Sequence, residues 1–235
     1  MPIAAPAETD GIARPDGPRA VTPHHDASEG VGLHGRTIAA ALDLLRERQA
    51  VRPRMDEIAA ALDEPVENVA KIFPDAEAVL IAAGELALVR LMDTCVKSVV
   101  KVDPEDAVGQ FCSLGEAYIE WADTYAMQFK MLSDQNILDT LGTPQLRRYL
   151  NSLSELMTRM LERAQDAGHL PPDEDIRLMV LSSRTFAYGL ARMVVDQRMG
   201  EWYPELPPME AAKLALHDFV RRIARGSIRR PDPRP

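Results

Sequence analysis

Apolar residues return every three or four positions along most of this chain and almost never alternate with polar ones. Ile38, Ala41, Leu42 and Leu45 fall on one face of a helix predicted over 34–49, which Val51-Arg52-Pro53 ends. Ile58, Ala59 and Leu62 mark a second helix over 55–62, and Val66 and Val69 a third over 66–72. Asp63-Glu64-Pro65 separates these two, while Pro74-Asp75 ends the third and caps its successor. Val79, Leu80, Ala83, Leu86, Val89 and Met92 then carry one long helix from 75 to about 100. Five more helices come after it, from the start signal Asp103-Pro104-Glu105 to about 125, then over 127–138, 144–167, 173–198 and 209–225. Gly168 stops the 144–167 helix, with Pro171-Pro172 beyond it. The pattern predicts an all-α chain of about nine helices, with no convincing strand.

The two short helices and their tight turn have the spacing of a helix-turn-helix, whose second helix can enter a DNA major groove. The expected organisation has four parts. Residues 1–32, rich in Pro, Ala, Gly and Asp, read as a disordered arm. Residues 33–74 form a three-helix head, residues 75–225 a helical ligand-binding and dimerisation bundle, and residues 226–235 a basic tail. Gly84, Gly109, Gly115 and Gly189 fall inside predicted helices, where glycine costs up to about 1 kcal/mol against alanine. Close helix packing is the usual compensation.

Charge complicates the nucleic-acid reading. The net charge is −9, and the segment 34–90 carries seven Lys/Arg against ten acids. The strongly basic stretch is 221–235, with six Arg against one Asp. A DNA-binding surface is normally basic, because phosphate contacts supply much of the affinity. Hydrophobic residues make up 46% of the chain, enough for a sizeable core. No apolar run reaches the roughly 18 residues of a membrane span, and no signal-peptide pattern opens the chain, so the expected compartment is the cytoplasm. Cys95 and Cys112 fit that compartment as small apolar residues rather than a disulfide or metal pair. His24-His25 lacks further ligands, His169 comes directly after a helix-ending Gly, and His217 lies on the last helix. With no Gly-rich phosphate loop, Cys-x-x-Cys or His-Glu-x-x-His, the expectation is a non-enzyme without cofactor or metal.

Three short helices, a long connecting helix and an all-helical bundle resemble the TetR family of one-component repressors. Its signature stretch runs Thr-x-x-x-Ile-Ala-x-x-x-Gly-Val-Ser-x-x-x-x-Tyr-x-x-Phe-x-x-Lys-Glu-x-Leu. This chain matches it at Ile58-Ala59, at Phe73 and across Glu77 to Leu80, and carries a similar first helix from Ile38 to Leu45. Tyr118-Ile119-Glu120-Trp121 and Phe186-Ala187-Tyr188-Gly189-Leu190 look like the ligand domain of one TetR subgroup. The departures fall in the head. Arg54 stands where Thr caps the second helix, and Glu64-Pro65 where Val-Ser opens the third. Glu67 occupies an early groove-facing turn, Ala70 replaces a phosphate-side Tyr, and Ala76 replaces a Lys. These changes remove donors to phosphate and add acids that repel it.

The resemblance implies a homodimer that binds a DNA operator and is released by a small apolar or amphipathic effector, through a tilt of the 75–100 helix. On the head, Arg36, Arg52, Arg54 and Lys71 are the remaining candidates for phosphate, with Met55, Pro65, Glu67 and Asn68 beside the groove. The Asn68 amide offers a donor and an acceptor together, as an adenine edge requires, or is simply an exposed polar group. In the bundle, Phe111, Tyr118, Trp121, Phe129, Met157, Phe186 and Met193 are candidate cavity walls, although the same residues would also fill a packed core. Arg184, in a largely apolar helix, pairs either with a ligand carboxylate or with an acid such as Glu116 or Asp123. Leu178, Leu181, Leu190, Val194, Leu214, Leu216, Val220 and Ile223 on the last two long helices are the expected dimer surface. The competing expectation is a ligand sensor or protein-binding regulator of the same fold that no longer reads DNA by itself.

Overall fold

The computed structural model describes residues 32–225. Apart from Gly32, the expected arm with its His24-His25 pair lies outside the described residues, as does the basic tail. Ten α-helices and no strand occur among the described residues. In the head these are α1 (Leu33–Glu47), α2 (Met55–Ala61) and α3 (Val66–Ala70). The remainder comprises α4 (Ala76–Val99), α5 (Ala107–Thr124), α6 (Ala126–Ser133), α7 (Pro144–Asp166), α8 (Ile176–Val195), α9 (Met199–Trp202) and α10 (Pro208–Arg225).

Local chemistry explains most of the boundaries. The Asp75 carboxylate accepts the Ala78 backbone N–H at 2.8 Å and caps α4, as its place in the sequence predicts. At the end of α7, Gly168 takes φ +77°, with its N–H bonded to the Gln165 carbonyl and that of His169 to the Ala164 carbonyl. That paired bonding is the Schellman stop. The turn between α2 and α3 uses the same device without glycine. Asp63 sits at φ 54°, its N–H on the Ala60 carbonyl and that of Glu64 on the Ala59 carbonyl. Aspartate tolerates the left-handed region better than most side chains.

Four boundaries differ from the expectation by three residues or more, one of them the end of α8, at Val195 rather than 198. α5 starts at Ala107, capped by Asp106 through the Gly109 N–H at 2.8 Å, while Asp103 instead forms a local turn to the Glu105 N–H at 2.9 Å. α8 starts under Asp175 rather than Asp173. α6 ends at Ser133 rather than 138, because Asp134 turns the chain by accepting the Asn136 N–H at 2.9 Å. The tenth helix, α9, is a single turn that the sequence pattern does not reveal.

One buried apolar cluster joins the head to the bundle. Leu45, Ile58 and Phe73 belong to the same core as Leu80, Leu88, Ile119, Phe129 and Met131. α4 packs against α1 on one side and against α5, α6 and α7 on the other. Gly84 permits the closest approach along α4, since a Cβ there would lie 2.8 Å from Leu138 and 3.3 Å from Leu146. Gly115 has the same role against Leu216, at 2.9 Å. At Gly189 an added Cβ would meet nothing within 4 Å, so packing within the subunit does not account for that glycine. No helix among the described residues is long and apolar enough to cross a membrane.

Candidate DNA-reading head and ligand cavity

All five arginines of the head are paired with carboxylates of the head or of the start of α4. Arg36 meets Glu64 at 3.0 Å, Arg46 meets Asp43 at 2.5 Å, Arg48 meets Glu57 at 2.7 Å and Arg52 meets Glu77 at 3.2 Å. Arg54 forks onto Asp56 at 3.0 and 2.8 Å, and the Arg54 backbone N–H donates to Glu57 at 2.8 Å. That last bond is the functional half of an N-cap for α2, since an arginine side chain has nothing to accept with. The pairing shows in the acid strengths: Arg54 holds the Asp56 carboxyl below its usual range, and the Arg54 backbone N–H followed by Arg48 does the same for Glu57.

The α3 surface is engaged in the same way. Glu64 accepts from Arg36 with one oxygen and from the Asn68 amide with the other, at 3.2 Å. The Asn68 carbonyl oxygen accepts from Lys71, also at 3.2 Å. Arg36, Glu64, Asn68 and Lys71 thus form one chain of contacts that uses both ends of the amide expected to read a base. Glu67 stands exposed in the first turn of α3. Pro65 is the N-cap, and Met55 is partly buried against the core rather than free at the surface.

The bundle holds a cavity of about 500 Å³. α4 lines it with Leu88, Leu91 and Cys95, and α5 with Phe111, Leu114, Tyr118 and Trp121. Phe129, Met157, Arg184, Tyr188 and Phe219 close other sides. Six of the eight sequence candidates therefore stand at one cavity: Phe111, Tyr118, Trp121, Phe129, Met157 and Arg184. Phe186 and Met193 are not among its walls. Phe186 instead stacks on Phe219 at 4.4 Å between ring centres. Tyr188, two residues along α8, takes the expected place, 5.6 Å from Phe129, while Tyr118 and Trp121 stack at 6.1 Å. Arg184 is exposed and makes no ion pair among the described residues. Of the two expected acids, Glu116 pairs with His217, and Asp123 is exposed on α5 without an ion pair among the described residues.

Among the described residues, two polar atoms in this region have no partner: Trp121 Nε1 and Ser183 Oγ, both shielded from water. Ser183 lines the cavity and has no sequence signature, since an isolated serine in an apolar helix attracts no attention. Burial pushes the Cys95 thiol up to about 12 and raises the Tyr118 hydroxyl well above its usual range, against a smaller opposing pull from Arg184. Cys95 and Cys112 are both free thiols.

The expected dimer surface is narrower than its sequence signal. Leu190, Val194, Leu216 and Val220 are buried within the subunit, and Ile223 is partly buried against its core. Leu178, Leu181 and Leu214 remain exposed, at 42%, 60% and 51%.

No family model matches the sequence, and no curated protein matches it. Solved structures share its fold. A protein of unknown function from Rhodococcus sp. RHA1 aligns with a TM-score of 0.65 at 20% identity, over 85% of this chain and 99% of that one. The fatty acid degradation regulator FadR from Bacillus halodurans gives 0.63 at 16% identity, over 83% and 100%. The TetR family transcriptional regulator PfmR from Thermus thermophilus gives 0.60 at 20% identity, over 83% and 100%. The chain has the all-α fold of TetR-type transcriptional regulators.

Proposed function

We propose that this chain is a one-component transcriptional regulator, acting as a homodimeric repressor in the cytoplasm and released from DNA by a small apolar or amphipathic molecule. The observation that carries this reading is the course of α4. It begins three residues after Phe73, the last core residue of the helix-turn-helix, and lines the cavity with Leu88, Leu91 and Cys95. A molecule that repositions those side chains acts on the element on which the head is mounted, which is the coupling an effector needs. Residues 33–74 are the DNA-reading unit in this scheme and 75–225 the sensing and dimerising unit. The exposed leucines of α8 and α10 support a second copy packing there as a four-helix arrangement. One similar fold belongs to a regulator of fatty acid degradation, which fits an apolar effector. The chemistry is binding rather than catalysis, with no cofactor.

The pairing of every head arginine favours a second reading, a sensor or protein-binding regulator that no longer reads DNA unaided. A mobility shift with genomic fragments separates the two. Retention at low salt that fades at moderate salt, and is lost with a cavity ligand, supports the repressor. No retention at any salt by an intact dimer supports the sensor.

A further inference from the structure

The cavity has one charged wall residue, and it is a cation. Arg184 lies at the exposed edge of α8, and no Asp or Glu lines the space. The remaining walls are largely leucine, phenylalanine and other apolar side chains, with a few hydroxyls among them. Arg184 and Tyr118 line the same space from facing helices, α8 and α5. Trp121 stands one helical turn after Tyr118 on α5, and Ser183 precedes Arg184 on α8, which packs on α5. Four donors from the packed pair α5 and α8 thus line one cavity. Two of them, the Trp121 indole and the Ser183 hydroxyl, are 3% and 5% exposed as residues and lack any partner. Leaving such groups unpaired is unfavourable, and a buried acceptor would relieve it.

The shape is elongated. Wall residues on α5 run from Phe111 to Trp121, a rise of about 15 Å at ~1.5 Å per residue. Leu141 and Leu181 are exposed apolar residues of the same wall, Leu181 one turn before Arg184 on α8. The wall hydroxyls of Ser133, Thr140 and Thr185 already donate to backbone carbonyls, so an apolar space whose unpaired donors and one cation come from α5 and α8 suits a molecule with a long hydrocarbon body and one compact anionic head. A carboxylate offers about four lone-pair sites for such donors.

We propose that the cavity takes an elongated aliphatic carboxylate, its head held by Arg184, Tyr118, Trp121 and Ser183 and its chain along the leucine-lined walls. This rests on the reading of the cavity as the effector site. It predicts discrimination by charge: an alkyl carboxylate binds, and the alcohol of equal length binds far less tightly.

The test uses the full chain with Trp202→Phe, which removes the exposed indole and leaves Trp121 as the reporter. Decanoate is expected to change Trp121 emission saturably, with an affinity about tenfold or more above that of decanol. Arg184→Gln should bring the two affinities together without weakening decanol, and being at an exposed position it should leave the fold intact. Ser183→Ala and Tyr118→Phe should each weaken decanoate severalfold. Equal affinities for decanoate and decanol, an unchanged ratio in Arg184→Gln, or no response to either compound overturns the proposal. The measurement involves no DNA. Decanoate binding by a protein that retains no DNA fragment would sink the repressor reading alone, whereas DNA release by neutral molecules with decanoate inert would sink the carboxylate alone.

Discussion

Arg36 on α1 and Glu64 in the turn before α3 meet at 3.0 Å, and the second Glu64 oxygen holds Asn68. The acid thereby engages both a cation and the amide proposed to read a base. Glu64→Gln is expected to strengthen binding to all DNA at low salt by several fold, since it removes a negative charge and frees Arg36. Glu67→Gln should give a smaller gain, because Glu67 restrains no neighbour. The loss of a partly exposed ion pair in Glu64→Gln should cost the head well under ~1 kcal/mol. Fluorescence anisotropy with unrelated duplexes checks both. An equal or larger gain in Glu67→Gln would show that repulsion alone matters. A loss confined to one sequence in Glu67→Gln would mean that Glu67 accepts from a cytosine amino group.

Asp63 occupies a left-handed position at φ 54° in the turn of the helix-turn-helix. Asp63→Gly should raise thermal stability by up to ~1 kcal/mol, because glycine adopts that conformation without steric cost. Calorimetry of the two proteins measures it directly. A destabilised variant would mean that the aspartate side chain matters more than its backbone.

Gly84 and Gly189 should respond in opposite directions. A side chain at Gly84 meets Leu138 and Leu146, so Gly84→Val is expected to lose about 1–3 kcal/mol. Gly189→Ala meets nothing within the subunit and should gain up to ~1 kcal/mol from helix propensity. Chemical denaturation at dilutions that separate subunits would show both. If Gly189→Ala instead weakens self-association, the open space at that position is filled by a second copy.

Leu181→Glu is expected to shift the assembly toward monomer at micromolar concentration, since it places a charge on the most exposed leucine of α8. Light scattering reads the outcome. A wild-type protein that is monomeric already would remove the dimer from the proposal.

The cysteines give a pH dependence. Burial raises Cys95 to about 12 and, with help from Glu116 and then Asp106, Cys112 to about 11, against an ordinary value of 9.0. The folded state therefore prefers the neutral thiols. Their contribution is fully present below about pH 9 and is lost as pH rises from there toward 11 and 12. Urea midpoints should fall as pH rises from about 9 toward 11, and Cys95→Ala should show a shallower decline from a lower starting point. Parallel declines in the two proteins would assign the alkaline loss to other groups.

Caps and stops are legible in the chain because they are local. Asp75 and Gly168 act on backbone groups within four residues. Where two aspartates compete three residues apart, as Asp103 and Asp106 do, packing of the helix beyond them decides, and the sequence does not show it. The same holds for α8. Phe186 and Tyr188 are equally aromatic, and only the rotation of the helix against α5 turns Tyr188 to the cavity and Phe186 to Phe219. The acidity of the head is plain from its composition, but its arrangement is not. Glu57 and Glu77 reach Arg48 and Arg52, partners in loops well back along the chain, and no periodicity encodes that.

The close fit at Gly84 has a consequence for any tilt of α4. If α4 tilts as a rigid rod, its closest fit, at Gly84 against Leu138 and Leu146, is where it would turn. From there to the helix start at Ala76 is about 12 Å, and to Cys95 at the cavity about 16 Å, at ~1.5 Å per residue. In such a tilt, a swing of the cavity arm would reach the head reversed in direction and, by those two lengths, reduced to roughly three-quarters of its size. Removing the fulcrum's close fit, by enlarging the space at Leu138, would let α4 slide instead of pivot and would uncouple its two ends while leaving each intact.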